Sequence, residues 1–334
     1  MNSPSSLPIN NLSSKKILIT GASGFIGRNL AKRLCDLGAE VHATSRVERV
    51  SDRKNLKWWT GSFDDYETSR KILGEVKPDI ICHLAGEVTA ANDVRFVMST
   101  YHSLLTSTVN ILTQAAEMGC ERIILTGSTN EPLDENAQPN SPYSAAKWAT
   151  NAYGSLFQRL YQLPVIVVRP FMGYGPDQPR EKVIPYVIHS LQKGEAPKLT
   201  NGLWVTDWVY IEDTVDGILS SAVAPGLQGE TIDLGSGVLT SVREVVEKIV
   251  DIMDPEAKPI FGALPDRYIE HTRPADTEFT ELKLKWRAKV ALDEGLRATV
   301  KWFKTNAIAN WLSIALLDIE TLEDLLTFSL ISFD

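Results

Sequence analysis

Apolar residues in this chain gather in short, nearly continuous runs rather than in strict alternation. KILIT at Lys16 to Thr20, VHAT at Val41 to Thr44, IICHL at Ile80 to Leu84, IILT at Ile123 to Thr126 and VIVVR at Val165 to Arg169 are of this kind, and several are rich in β-branched residues. Stretches with helical spacing separate them, such as Asn29 to Leu37 and Leu104 to Glu117. Runs that are apolar on both sides predict strands buried on both faces, and their alternation with helices predicts an α/β fold built on a doubly wound parallel sheet of the Rossmann type. After Pro170 the pattern gives way to loops rich in proline and glycine, GYGPDQP and GEAPKL, with a helix predicted at Val183 to Lys193. The segment WVYIEDTVDGILSSAV, Trp208 to Val223, reads as a strand and helix able to return to the sheet. The expected organisation is therefore interleaved. A lead-in covers 1–14, the main sheet domain 15–170 with about 206–236, a smaller lobe 171–205 and 237–304, and a tail 305–334.

Composition narrows the classes. At 334 residues the chain exceeds the single-core range of about 250–300 residues, which favours one large domain with a companion lobe. Hydrophobic content of 43% and charged content of 23% are those of a soluble globular protein, and no run is long enough to span a membrane. A net charge of −8 without a basic run speaks against nucleic acid as a partner. The opening MNSPSSLPINNLSS lacks the basic start and apolar centre of a signal peptide, reads as disordered, and points to the cytoplasm. Cys35, Cys82 and Cys120 are odd in number and lie in apolar-rich segments without metal-type spacing, so they are expected as reduced thiols, and no metal site is expected.

The strongest chemical signal is ITGASGFIGRNLAKRL, a strand followed by Gly21, Gly24 and Gly27 and then a helix. The first glycine suits a tight turn, the second lets backbone approach a pyrophosphate, the third lets helix pack on strand, and the helix N-terminus attracts the anion. This predicts a dinucleotide site formed by Gly21, Ser23, Gly24, Phe25, Ile26, Gly27 and Arg28. At the end of the second strand NAD would be matched by a carboxylate, but the residues are Thr44, Ser45 and Arg46. Hydroxyls and a guanidinium there favour the 2′-phosphate of NADP(H), with NAD as the alternative.

Tyr143 and Lys147, in YSAAK, stand one helical turn apart and so share a face. Beside a nicotinamide site the ammonium favours the phenolate, which makes Tyr143 a usable acid or base. Ser128, just past the strand ending at Thr126, is placed to hydrogen-bond the substrate oxygen. His83 and His189 are candidate acid/base groups, but His83, at the end of a buried strand, reads as structural, and the Trp58–Trp59 pair reads as core or rim packing.

TGASGFIG at Thr20 to Gly27, HLAG at His83 to Gly86, TGS at Thr126 to Ser128, PYSAAK at Pro142 to Lys147, RPFMGYGP at Arg169 to Pro176, TDWVYIEDTVDGI at Thr206 to Ile218 and RPADT at Arg273 to Thr277 occur in that order. In these pieces, over about residues 15–304, the chain resembles the extended short-chain dehydrogenase/reductases of the NAD(P)-dependent epimerase/dehydratase type, which act mainly on nucleotide-diphosphate sugars. The resemblance implies a catalytic trio of Ser128, Tyr143 and Lys147. It further implies that Leu84, Ala85, Gly86 and Pro170 line the cofactor, that Ser62 and Phe63 flank the adenine, and that Ser128, Thr129 and Arg273 touch substrate, Arg273 at the diphosphate.

The chain also departs from the family pattern. Met172 stands where an asparagine is common, Thr206 where an arginine is common, and the VYG that usually follows the serine is absent. The dehydratase branch carries Thr-Asp-Glu where this chain aligns Ser128, Thr129 and Asn130, which disfavours elimination of water. Glu131 substitutes only if the alignment slides by one residue, with Thr129 then in the serine's place. The leading expectation is an NADP(H)-dependent reductase of a keto group on a nucleotide-diphosphate deoxysugar. The alternatives are an NAD-dependent nucleotide-sugar epimerase, a reductase of a non-sugar ketone, and a non-enzymatic dinucleotide-binding regulator. From Ala307 onward, apolar residues at three- and four-residue steps predict an amphipathic helix in the tail, with a role at an interface and a homodimer as the expected assembly.

Overall fold

The computed structural model describes residues 9–51, 53–89, 92–132, 138–266 and 272–306. The amphipathic tail expected from Ala307 lies outside them. Two compact units are present. The first comprises the described residues up to Tyr174 together with Leu203–Val242 and Asp266–Leu292, and the second comprises Gly175–Gly202, Arg243–Pro265 and the described residues from Asp293.

The first unit carries a seven-stranded, wholly parallel sheet. Its strands are β1 (Lys16–Thr20), β2 (Glu40–Ser45), β3 (Leu56–Thr60), β4 (Ile80–His83), β5 (Arg122–Thr126), β6 (Val165–Pro170) and, later in the chain, β9 (Thr231–Leu234), in the spatial order β3-β2-β1-β4-β5-β6-β9. This is a Rossmann-like, doubly wound fold. β1, β2, β4 and β5 are buried over nearly their whole length, as helices on both faces require. Strand order reverses between β1 and β4, so the crevice outside their carboxyl ends is the place where such sheets receive ligands.

β3 and β9 are not evident from hydrophobic runs. β3, LKWWT, is an edge strand and only partly buried; Trp59 packs against the core and donates from Nε1 to His42 Nδ1 at 3.0 Å, while Lys57 covers the outer face of its ring. The segment Trp208 to Val223 does not rejoin this sheet as a strand. Its strand, β8 (Val205–Tyr210), pairs instead with β7 (Met172–Tyr174) and β10 (Leu239–Ser241) in a separate three-stranded sheet, and β9 takes the place beside β6. The helix Ile211–Val223 packs on Phe25–Asp36, where Arg33 lies 3.8 Å from Asp216.

Buried acids fasten the outlying segments of this unit. Asp207 is fully buried and accepts four hydrogen bonds, from Ser236 N, Ser236 Oγ and Gly237 N at 2.6–2.7 Å and from Ala275 N at 3.0 Å. Asp213 accepts from Lys289 N and Val290 N at 3.0 and 2.9 Å. In the second unit, the helix Val183–Gln192 accompanies a stacked pair in which the Arg243 guanidinium lies 3.7 Å over the Phe261 ring and donates to Asn201 O.

An amide at position 207 would turn an N–H toward groups that are themselves donors. Asp207→Asn is therefore expected to lower stability by about 3 kcal/mol, read as a lower midpoint in urea with an unchanged slope.

Candidate active site

Three chain segments meet at the carboxyl ends of β1, β4 and β5. After β1 the backbone turns at Gly21 with φ +67°, and a side chain there would collide with Ala85 N at 2.7 Å. A Cβ at Gly27 would lie 2.2 Å from Gly21 O, so helix Phe25–Asp36 can pack this closely only on a glycine. The helix begins at Gly24 with no capping side chain and no acidic residue in its first turn, and these are the uncapped donors an anion needs. Ser23, Phe25, Ile26 and Arg28 sit partly exposed around this turn. The cradle fits a pyrophosphate.

At the end of β2, Ser45 is buried and its Oγ accepts from Val47 N at 3.3 Å and from Arg49 Nε at 3.2 Å, while Arg46 is exposed. Arg49 also lies 5.6 Å over the Trp58 ring. Two guanidinium groups thus occupy the strand end. Arg49 was not indicated by the sequence motif, because only the fold of the following loop brings it back to Ser45. Past β3, Phe63 is buried in the core and its carbonyl accepts from Asn110 Nδ2 at 2.9 Å, while Ser62 before it is half-buried.

Behind β4, His83 forms a fixed bridge. Its Nδ1 lies 2.7 Å from Thr20 Oγ1 and its Nε2 3.0 Å from Thr108 Oγ1. Thr108 already donates its hydroxyl proton to Leu104 O, and Ser107 donates to Ser103 O, so Nε2 must carry the ring proton and Nδ1 must accept from Thr20. Burial, reinforced by the charge of Lys147, lowers the imidazole to about 3, and it stays neutral. Thr20 Oγ1 also accepts from Ala85 N at 3.2 Å, and this holds Leu84–Gly86 against the Gly21 turn. A Cβ at Gly86 would lie 2.0 Å from Leu104, which packs on Tyr143 and Ala146. Leu104 sits in a π-type stretch, Tyr101–Thr106, that widens the start of the helix expected from Leu104; the hydroxyls of Ser107 and Thr108 bond back to carbonyls there.

Tyr143 and Lys147 lie in the first turns of helix Pro142–Tyr161, capped by Ser141. Both are buried. Lys147 Nζ donates to Thr126 O at 2.6 Å and to Thr126 Oγ1 at 3.0 Å, which ties the helix to the end of β5. Burial lowers the ammonium to about 8, opposed by the charge of Glu131. Ser128, also buried, accepts from Asn130 N on Oγ at 3.2 Å and keeps its own hydroxyl proton for donation. Thr129 beside it is partly exposed. A phenol, an ammonium one turn along the same helix and a serine hydroxyl can together move a proton to or from a carbonyl or alcohol oxygen.

A further set surrounds Glu131, of which the sequence pointed to Arg273 and, under a one-residue slide, to Glu131, but not to Asn151, Arg169 or Asp233. Glu131 accepts from Ser128 N and from Asn151 Nδ2, and lies 3.4 Å from Arg169 Nη2. Arg169 donates in turn to Asp233 at 2.9 Å, and Asp233 also binds Arg273 through both guanidinium nitrogens. Burial alone would raise the Asp233 carboxyl, but hydrogen bonds from Arg273 and the charge of Arg169 hold it below the usual range. Arg273, 18% exposed, thus sits in an ion pair and 5.0 Å over Phe171, and Pro170 lies half-buried next to that ring. Asn151, Arg169 and Asp233 follow no spacing rule, since they come from a helix and two strands far apart in the chain. Among the described residues no group of three or more His, Cys, Asp or Glu is arranged to hold a metal ion, and no helix is long and apolar enough to cross a membrane.

The family model for the NAD dependent epimerase/dehydratase family matches residues 17–235, the span that holds all but Arg273 of this constellation. The chain belongs to that family. It is 27% identical to the dTDP-D-glucose 4,6-dehydratase of Mus musculus, over 89% of this chain and 90% of the relative. It is also 27% identical to the UDP-glucose 4-epimerase of Mycolicibacterium smegmatis, over 87% of this chain and 99% of the relative. Among solved structures, the UDP-glucose 4-epimerase of Thermotoga maritima with UDP-glucose superposes with a TM-score of 0.80 at 25% identity, covering 87% of this chain and 99% of that one. As a member of the family, the protein is an NAD(P)-dependent oxidoreductase/epimerase of the extended short-chain dehydrogenase/reductase type.

Between about 8 and the ordinary lysine value of 10.5, the folded protein holds fewer protons at Lys147 than the unfolded chain does. Stability lost to the buried charge near neutrality is then regained as pH rises through that window. Wild type should gain stability relative to Lys147→Met between about pH 7 and about pH 10, by a few kcal/mol at most, measured by urea denaturation at both ends.

Proposed function

We propose that this protein is a cytoplasmic NADP(H)-dependent reductase of a keto group on a nucleotide-diphosphate deoxysugar. The observation that carries the reading is the end of β2, where Arg46 and Arg49 stand around Ser45 in place of the carboxylate that would accept from the 2′-OH of NAD. An enzyme that must exchange its cofactor at every turnover is served by the reduced phosphate form, whereas one that retains its cofactor gains nothing from it. A bound nicotinamide supplies hydride to the substrate carbon. Tyr143 gives the proton to the resulting alkoxide, Lys147 holds the ribose and lowers the cost of the phenolate, and Ser128, with Thr129 beside it, donates to the same oxygen. Gly21, Ser23, Gly24, Phe25, Ile26, Gly27, Arg28 and the Leu84–Gly86 strand end hold the cofactor. Arg273 is read as the ligand of the substrate diphosphate, oriented by Asp233. The substrate class is supported by relatives whose names specify dTDP- and UDP-glucose.

A nucleotide-sugar 4-epimerase is the second reading, favoured by the likeness to UDP-glucose 4-epimerases in sequence and in fold. A dTDP-4-keto-6-deoxy sugar with NADPH separates the two: a reductase consumes NADPH stoichiometrically, while an epimerase interconverts UDP-glucose and UDP-galactose without added cofactor. A homodimer belongs to the same reading. Val97, Met98 and Tyr101 are exposed on a helical segment that packs beside the helix bearing exposed Trp148, which leaves apolar surface uncovered; light scattering of the full chain measures the assembly.

Tyr143→Phe should lower kcat by about 10²–10⁴-fold with cofactor affinity nearly unchanged in isothermal titration; more than a tenth of wild-type kcat would remove the phenol from the reaction. Arg46→Asp should shift the ratio of kcat/KM for NADPH over NADH toward NADH by more than about tenfold. A ratio within about twofold of wild type would place the phosphate elsewhere.

A further inference from the structure

We propose that Glu131 is a positioning carboxylate, fixing the Ser128 turn and standing as counter-charge to Lys147, and that it is not the acid or base of the reaction. The proposal rests on the functional reading above only for its activity arm. Glu131 is 3% exposed, and its two oxygens are claimed by three donors: Ser128 N–H, the Asn151 amide and the Arg169 guanidinium. A base needs a lone pair open to the substrate, and this carboxylate is turned inward.

Local sequence makes that inward turn possible. A Cβ on Gly127 would lie 3.0 Å from Glu131 Oε1 and 3.5 Å from Asn151 Nδ2, so the glycine of TGS leaves the room into which the carboxylate folds back. Asn151 is one turn beyond Lys147 on the same helix, so its bond to Glu131 sets the carboxylate over the helix face that carries the ammonium. Arg169 and, behind it, Asp233 and Arg273 complete a row of alternating charges that fixes Glu131 from the other side. The charged and titratable groups around Lys147 are therefore Glu131 with Arg169 behind it, neutral His83 from β4 and Tyr143 on its own helix. Of these, Glu131 is the carboxylate: burial raises it, the charge of Arg169 and the hydrogen bond from Ser128 N oppose that rise, and its own charge acts to raise Lys147 against the lowering effect of burial.

The test uses the full-length protein, Glu131→Gln and Glu131→Ala. Glutamine keeps an oxygen for Ser128 N–H and loses the charge, and its NH2 group is accommodated when the Asn151 amide turns its unpartnered Oδ1 toward it; alanine loses both oxygen and charge. In 15N-lysine NMR, the Lys147 Nζ titration should move to lower pH in Glu131→Gln, because the counter-charge that raises it is gone. This arm needs no substrate, so it decides the proposal even if the nucleotide-sugar reading fails. With NADPH and a dTDP-4-keto-6-deoxy sugar, Glu131→Gln should keep kcat within about tenfold of wild type and Glu131→Ala should lose about a hundredfold, as misplacement of a reacting group does, with KM little changed. The alkaline limb of the kcat profile should shift down in Glu131→Gln. An unchanged Nζ titration, or a Gln variant as inactive as the Ala variant, would overturn the proposal. Should the Ala variant not fold, a loss well beyond tenfold in Glu131→Gln alone does the same.

Discussion

A positive charge enclosed at the carboxyl edge of the sheet is the constraint around which this protein is arranged. Lys147 has left water, and an ammonium without water is tolerable only where oxygen atoms replace the hydration shell and an anion balances the charge. Thr126 supplies two of the oxygens, one from its carbonyl and one from its hydroxyl. Those atoms exist at the right place because β5 ends there, and β5 ends there because a glycine and a buried serine follow. The helix bearing Lys147 is held to the sheet at the same point, so the charge, the strand end and the helix N-terminus are one mechanical unit.

The neighbouring ionisable groups follow from that charge. His83, next in line, cannot also be cationic, and its hydroxyl neighbours leave it one tautomer, which makes it a rigid strut between the Gly21 turn and Leu84–Gly86. On the other side the signs alternate from Glu131 to Arg169 to Asp233 to Arg273, each member compensating the next. Such a row is costly to break at a single point, because removing one partner leaves its neighbour buried and unpaired. It also gives Arg273, at the end of the row, a defined orientation. Cys82 is pushed up to about 12 and Cys120 to about 11 by burial, which keeps both thiols out of this chemistry.

Membership in the NAD dependent epimerase/dehydratase family accounts for the common chassis, while two places give this chain its own character. At the end of β2, Arg49 donates to the buried Ser45 and Arg46 beside it is exposed. After β5, the carboxylate that follows Ser128 is turned into an internal network rather than left open, and Asn130 lies between them. Both are changes at strand ends, where a loop alters the chemistry and the sheet is unaffected.

Sequence alone determined the strands that are buried on both faces, because β1, β2, β4, β5 and β6 must be apolar throughout and so announce themselves. It also determined the Gly21, Gly24 and Gly27 turn, where sterics admit no other residue at Gly21 or Gly27, and the shared face of Tyr143 and Lys147, which is a matter of helical pitch. Tertiary structure decided what periodicity cannot express. β3 hides because an edge strand needs only one apolar face; β8 reads as a strand, but which sheet it joins depends on partners distant in the chain. The return of Arg49 to Ser45 is set by the fold of the loop after β2, and the Glu131–Arg169–Asp233–Arg273 row by where the ends of different elements meet. The pairing energies of that row arise only after the sheet has brought together partners 38 to 64 positions apart, and no local spacing rule encodes that meeting.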